Sequence, residues 1–345
     1  TGLGRGMAEQ FLRLGADISI CGRRKGVCDA TVDALMKEHG GTVTSYGVDI
    51  RNAQAVDDMI GEIFARKPLT GLVNNAALYA TLRGGRFGPI QFPALAALIL
   101  HPQAGPILYD TGYADRFHEA TARFPEKIYR WLTPVVLPES ERLLSQLAGL
   151  AIAANEVSRV LVSHLHADHV AGLRDLPRAR FSALEGDIVA GLGKRGWQAL
   201  RRGILPALLP DNFAARLDLV DSERVVDLGP AWAPFERGFD LLGDGSLMGV
   251  PLPGHAPAQL GLLLRTNEDR DVFLVADSCW SARAWREQRL PTRFAGVLFD
   301  DWNRYRTTLA GVGAVGTRQP DLTIIPSHCA QTFEAWNARA ARARS

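Results

Sequence analysis

Val160-Leu161-Val162-Ser163-His164-Leu165-His166-Ala167-Asp168-His169 is a short apolar strand that runs directly into three histidines and an aspartate. Zinc takes neutral imidazole and carboxylate ligands at about 2.0–2.2 Å, and several must converge on one ion. A loop leaving a strand can aim two residues, spaced two apart, at one metal and the next adjacent pair at a second. The HxHxDH spacing does this for His164 and His166, then Asp168 and His169. Isolated core histidines do not gather beside an aspartate at the end of a buried strand. A metal site is therefore predicted here.

Working outward, the partners needed to complete two sites are present. Leu252-Pro253-Gly254-His255 is a turn that presents His255. An apolar strand over 272–276 ends on Asp277, and Ile324-Ile325-Pro326-Ser327-His328 is another strand end carrying a histidine. Asp110-Thr111-Gly112 follows a predicted strand over 106–110, paired with one over 94–100 around a turn at 101–105. Each alone reads as a polar strand-end residue; together, and in this order, they form a set.

In that order the chain from 79 to about 335 resembles the metallo-β-lactamase superfamily. The resemblance implies an α/β fold of the αββα type, two sheets packed face to face between helices. By position it implies that His164, His166 and His255 hold a first Zn2+. Asp168, His169 and His328 would hold a second, Asp277 would bridge them, and Asp110 would orient the ligand loops from behind. His166 stands where the flavodiiron branch has glutamate, which favours zinc over redox iron. Asp277 stands where true β-lactamases tend to use cysteine or serine. An aspartate bridge is similar to the N-acyl-homoserine lactonases, the glyoxalase II thioesterases and the RNase Z group. The implied mechanism is a hydroxide held between two zinc ions attacking a carbonyl carbon, with Asp168 taking and returning the proton. Lactonases of this kind place a tyrosine just after the bridging aspartate; here the stretch is Asp277-Ser278-Cys279-Trp280, and Trp280 offers an N–H instead.

The first reading is thus a dinuclear zinc hydrolase of a lactone or ester, N-acyl-homoserine lactonase-like. The alternatives are a glyoxalase II-like thioesterase or a β-lactam hydrolase. Outside enzymes, the alternative is a nucleotide-binding or scaffold module with a degenerate metal fold, against which the complete ligand set argues. Around the site, 191–220 interleaves Trp197, Leu200, Leu205, Leu208 and Phe213 with Lys194, Arg195, Arg201 and Arg202. That pattern suits a wall or lid for an acyl chain, and equally a helix packed on the core or a homodimer surface. Arg201 and Arg202 could meet an anionic substrate, although surface arginine pairs are usually only solvated.

Residues 1–78 read differently. Helical spacing over 5–14, 27–39 and 53–65 alternates with apolar strands over 16–21, 42–48 and 69–73, a βαβ rhythm that implies a parallel sheet. Thr1-Gly2-Leu3-Gly4-Arg5-Gly6 is similar to the end of the glycine-rich turn of short-chain dehydrogenases. The likeness continues in Arg23 and Arg24 after the next strand, Asp49 after the following one, and Asn74-Asn75-Ala76-Ala77. It implies cofactor contacts at Gly2, Gly4, Arg23, Asp49 and Asn74. The first Rossmann strand is missing and no tyrosine is followed by lysine four positions on. NADP binding is accordingly doubtful and dehydrogenase activity is not expected. The chain is read as a truncated Rossmann fragment, 1–78, joined across a glycine-rich stretch to a hydrolase domain, 79–345.

Composition fits a folded chain and narrows its partners. Of 345 residues, 47% are hydrophobic and 22% charged, which suits a buried core. A net charge of +2 gives no field argument for nucleic acid or an anionic membrane. No apolar run approaches the ~20 residues of a membrane span; the longest, 92–100, is read as a buried strand. The four cysteines form no CxxC pair and are read as reduced thiols of a cytoplasmic protein. The expected partner is a small-molecule substrate, acyl-chain-bearing if the lactonase likeness holds. A helix of mixed alanine and arginine is expected at 335–345.

Overall fold

The computed structural model describes residues 17–49, 92–291 and 299–343, with Arg5, Ala8, Glu9, Leu12, Arg13, Ala55, Asp58, Met59 and Glu62. The chain divides into two compact units, Thr1–Tyr79 with Arg86–Pro89 and Ala80–Gly85 with Ile90–Ser345.

In the first unit, β1 (Ile18–Gly22), the helix Lys25–His39 and β2 (Val43–Gly47) form a βαβ unit. The two strands pair in parallel, Ile18 opposite Val43 and Gly22 opposite Gly47. The helix lays Leu35, which is fully buried, on Val43, Ile18 and Ile20. It stops at Gly40, whose positive φ of 68° lets its N–H return to the Met36 carbonyl at 2.9 Å. Ala55, Asp58, Met59 and Glu62 are helical, within the helix expected over 53–65. The strand expected over 69–73 and the glycine-rich stretch after it lie outside the described residues.

The second unit holds two sheets. One has the order β3 (Ala97–His101), β4 (Gly105–Tyr109), β5 (Arg159–Leu161), β6 (Arg180–Ala183) and β7 (Leu217–Leu219). The other runs β13 (Thr323–Pro326), β12 (Asp271–Ala276), β11 (Leu260–Arg265), β10 (Leu247–Pro251), β9 (Arg237–Asp240) and β8 (Arg224–Asp227). Ile107, Tyr109 and Leu161 of the first sheet and Leu247, Leu260, Leu262 and Leu274 of the second belong to one buried cluster, the seam between the sheets. On its outer face the first sheet turns Leu108, Val160 and Phe181 onto Phe117, Leu173, Leu205 and Phe213. The second turns Val250, Phe273 and Val275 onto Tyr305, Leu309 and Val312 of the helix Trp302–Arg318. Three apolar seams between four layers make the αββα sandwich, because each sheet buries both faces.

Strand directions place the site. β4, β5 and β6 are mutually parallel. β10 and β12 each run antiparallel to β11, and β13 is parallel to β12, so β10, β12 and β13 also share a direction. Asp110, His164, His255, Asp277 and His328 each follow the C-terminal end of one of these strands.

The helical stretch read across 115–153 is three short helices, Arg116–Ala120, Lys127–Leu132 and Leu143–Gly149. Pro125, Pro134 and Pro138 fall between them, and proline lacks the N–H that would continue a helix. The apolar run at 92–100 is also less buried than expected. Only Ala97–His101 is strand, at the sheet edge, with Leu100 68% exposed and Phe92 42% exposed. Among the described residues no helix is long and apolar enough to cross a membrane, and all four cysteines are free thiols.

Candidate metal centre

β5 leads into Ser163 and His164, His166 caps the N-terminal end of the Ala167–Val170 helical turn, and that turn carries Asp168 and His169. His164 and His169 are buried, with ring centroids 4.1 Å apart; His164 and His166 lie 4.4 Å apart. Asp110, at the end of β4, holds this loop. One carboxylate oxygen accepts the Ser163 backbone N–H at 2.8 Å, and the other accepts from His169 Nδ1 at 2.8 Å. Its own φ is +59°, a left-handed conformation that aspartate and asparagine tolerate better than most residues. Thr111 adds a second clamp, with its N–H and its hydroxyl both donating to the His169 carbonyl at 3.0 and 2.9 Å.

The second sheet supplies the remaining side chains. Gly254 presents His255 with φ +129°, and a Cβ there would lie 2.2 Å from the Tyr305 backbone nitrogen. Only glycine fits so close an approach. His255 Nε2 lies 3.0 Å from His166 Nδ1 and 3.3 Å from Asp277. Asp277 also faces His169 Nε2 at 3.5 Å and His328 Nε2 at 3.1 Å, and His328 Nε2 is 3.3 Å from Asp168. His328 Nδ1 donates to the Pro93 carbonyl at 2.7 Å. With Nδ1 protonated and tied down on His169 and His328, each ring turns the lone pair of Nε2 inward.

Three overlapping groups have ligand atoms all within 4.8 Å of one another: His164 with His166 and His255; His164 with His169 and Asp277; and Asp168 with His169 and His328. All seven side chains singled out for metal are brought together. His164 Nε2, His169 Nε2 and Asp277 Oδ1 are buried with no hydrogen-bond partner among the described residues. Leaving such atoms unpaired costs about 1–3 kcal/mol each, and coordination to a cation would satisfy them. The electrostatics agree. Burial holds His164, His166 and His255 below the usual histidine range, in the neutral form a metal requires. Burial also disfavours charge on His169 and His328, but Asp277 and Asp168, with Asp110 at His169, outweigh it. His169 is held well above its ordinary value and His328 is pushed up to about 9. Three carboxylates converging on imidazoles select for positive charge there, as protons or as metal.

With this geometry in place, the comparisons with known proteins fall into line: the family model for the metallo-beta-lactamase superfamily matches residues 91–274. The chain belongs to that superfamily. It is similar to N-acyl homoserine lactonase AttM of Azorhizobium caulinodans, 29% identical over 222 residues that cover 62% of this chain and 75% of that one. It is equally similar to N-acyl homoserine lactonase AiiB of Agrobacterium fabrum, 29% identical over 227 residues, 63% of this chain and 73% of that one. Among solved structures, a B. thuringiensis AiiA variant with N-decanoyl-L-homoserine at its active site superposes with a TM-score of 0.52 at 18% identity. The match covers 74% of this chain and 89% of that one, and it shows the shared fold. Superfamily membership and the converged ligand groups make this chain a metal-dependent hydrolase. The short chain dehydrogenase family model matches residues 1–94.

Of the residues that resemble a dinucleotide site, Gly2, Gly4 and Asn74 lie outside the described residues. Arg23 is exposed just after β1, and Asp49 follows β2, so both stand at the C-terminal edge of the parallel pair. Several supports of the metal centre carry no sequence signal of their own. Buried Gln259 donates through Nε2 to the Leu252 and Val275 carbonyls and accepts the Asp277 N–H, fixing the turn that bears the aspartate. Its one hint is a lone amide in the apolar run before Leu260. Asp187 accepts the Leu165 N–H at 2.8 Å, and Gly203 packs against the His166 ring. Trp280 Nε1 donates to Asp277 at 3.1 Å.

The 191–220 stretch resolves into two roles. Leu205, Leu208 and Phe213 are buried in the core of the first sheet. Lys194, Arg201 and Arg202 line a cavity of about 450 Å³ that opens onto His166 and His255.

Proposed function

We propose that this chain is a dinuclear zinc hydrolase that opens a lactone or related ester, in the manner of an N-acyl homoserine lactonase. The observation that carries the reading is the pair of ligand groups, His164/His166/His255 and Asp168/His169/His328, joined at Asp277, with His164 Nε2, His169 Nε2 and Asp277 Oδ1 buried and unpaired among the described residues. The lactonase relatives support the substrate class. Bound zinc supplies Lewis-acid polarisation of a carbonyl and a water acidic enough to ionise near neutral pH.

The remaining work falls to the protein. Asp110, Thr111, Ser163 and Gln259 hold the ligand side chains in register. The carboxylate of Asp168, at the rim of the cluster, accepts a proton from the attacking water and returns it to the leaving oxygen. Trp280, standing where lactonases of this kind place a tyrosine, has its N–H committed to Asp277. Carbonyl activation here therefore uses no phenol-like donor from that position. The hydrolase domain is assigned to 79–345. The dehydrogenase-like segment, 1–78, takes no part in this chemistry, and its NADP-like residues Gly2, Gly4, Arg23, Asp49 and Asn74 are read as vestigial.

The test is metal analysis joined to a substrate panel. About two zinc ions per chain are expected, with hydrolysis of acyl-homoserine lactones exceeding that of thioesters and β-lactams. His166→Ala and Asp277→Ala should abolish it. Protein that takes up no zinc when zinc is supplied in excess would sink the reading.

A further inference from the structure

The cavity beside the metal centre is lined by both apolar and cationic side chains. Ile204, Pro257 and Phe299 are among the apolar residues, and Lys194, Arg201 and Arg202 are the cationic ones. The two carboxylates that also line it are engaged by donors of their own. Asp187 accepts the Leu165 N–H at 2.8 Å, and Asp300 pairs with Arg202 at 3.4 Å. Lys194 and Arg201 form no ion pair among the described residues. The segment 188–210 contains Lys194, Arg195, Arg201 and Arg202 and no aspartate or glutamate. A volume of about 450 Å³ falls within the range that holds a small organic ligand.

We propose that the substrate carries an anionic group, a carboxylate or its equivalent, on the arm remote from the scissile bond, and that Lys194 and Arg201 select it. The apolar lining accommodates a short spacer between the reacting carbonyl, at His166 and His255, and the anion at Lys194 and Arg201. Arginine and lysine lining a cavity favour such a group through charge-assisted hydrogen bonds, and they also draw it in over a distance set by ionic strength. This inference rests on the lactonase reading above and names the substrate class within it.

The experiment compares N-hexanoyl-homoserine lactone with N-adipoyl-homoserine lactone, which has the same six-carbon arm ending in a carboxylate, on the zinc-loaded full chain. The adipoyl compound should show about tenfold higher kcat/KM at low ionic strength. The advantage should shrink in 0.5 M salt, where the screening length is about 4 Å against about 30 Å at 0.01 M, and disappear in a Lys194→Gln/Arg201→Gln double variant that melts like the parent. Equal or lower kcat/KM for the adipoyl compound, or an advantage that survives the double substitution, overturns the inference while leaving the lactonase reading intact. If neither lactone is hydrolysed, the lactonase reading falls. The inference is then decided by calorimetric binding of the ring-opened acids, N-adipoyl-homoserine and N-hexanoyl-homoserine. Tighter, salt-sensitive binding of the former sustains it, and equal binding overturns it.

Discussion

Asp110→Asn isolates how the fold sets the metal ligands. Asp110 is fully buried and accepts two hydrogen bonds of 2.8 Å, from the Ser163 N–H and from His169 Nδ1. Asparagine has nearly the same shape and tolerates the φ of +59°, so the backbone need not move. One of its two terminal atoms, however, is a donor. If the amide oxygen stays on Ser163, the NH₂ faces His169 Nδ1, which must then give up its proton and become the acceptor. The proton moves to Nε2, the atom turned toward Asp168 and Asp277, and a protonated Nε2 cannot bind metal. If the amide flips, the Ser163 N–H is left buried without a partner, at about 1–3 kcal/mol. Loss of such an outer partner typically weakens metal binding 10–100-fold, or about 1.4–2.7 kcal/mol. The weakened ion should be the one held by Asp168, His169 and His328, leaving about one tightly bound zinc per chain. The assay is a zinc titration in competition with a chromophoric chelator, with the metal-free melting temperature measured alongside. A variant that folds, melts within a few degrees of the parent and binds both ions unchanged would refute the argument.

Three further outcomes follow from the structure. Burial, with Asp300 nearby, pushes the Asp187 carboxyl up to about 7, against the opposing pull of the Leu165 N–H, His169 and Arg202. A carboxyl raised in the fold favours the folded state most below about pH 4 and loses that contribution as pH climbs through about 7. Urea denaturation of the parent should therefore weaken by up to a few kcal/mol more between pH 5 and pH 8 than that of Asp187→Asn, and parallel pH profiles would contradict this. In Gly203→Ala the new Cβ would lie 2.7–2.8 Å from the His166 ring at a φ of +68°. The ring must shift, so zinc affinity should fall about tenfold or more; unchanged affinity in the chelator titration counts against it. Leu208 is fully buried in the first sheet's core, so Leu208→Ala should cost about 2–5 kcal/mol of stability while the folded fraction keeps kcat/KM within a few-fold. An unmoved denaturation midpoint would mean that this stretch is a lid after all.

Much of the centre is visible in the residues alone because its signals are local. A β-strand followed by HxHxDH states both the direction of the loop and the chemistry of its side chains. Asp277 and His328 each stand at the end of an apolar strand and His255 at the end of a Leu-Pro-Gly turn, so the place of each can be read before its neighbours are known. The βαβ start is local in the same way: alternating periods of two and 3.6 mark β1, the helix Lys25–His39 and β2. What the sequence does not contain is which distant groups meet. An amphipathic pattern over 191–220 tells which side of a helix is apolar but not what it packs on, and tertiary packing put Leu205 and Leu208 in the core and Arg201 at the cavity. The choice of nitrogen on His169 and on His328 depends on Asp110 and Pro93, which lie far from them in the sequence. Gln259 and Asp187 are ordinary polar residues until the chain brings a buried backbone N–H to each. Residue type and strand-end position thus fix the kind of chemistry available to the HxHxDH loop. The contacts that orient each ligand atom are set only when two sheets close on one another, since a buried hydrogen bond between residues far apart in sequence leaves no periodic trace along the chain.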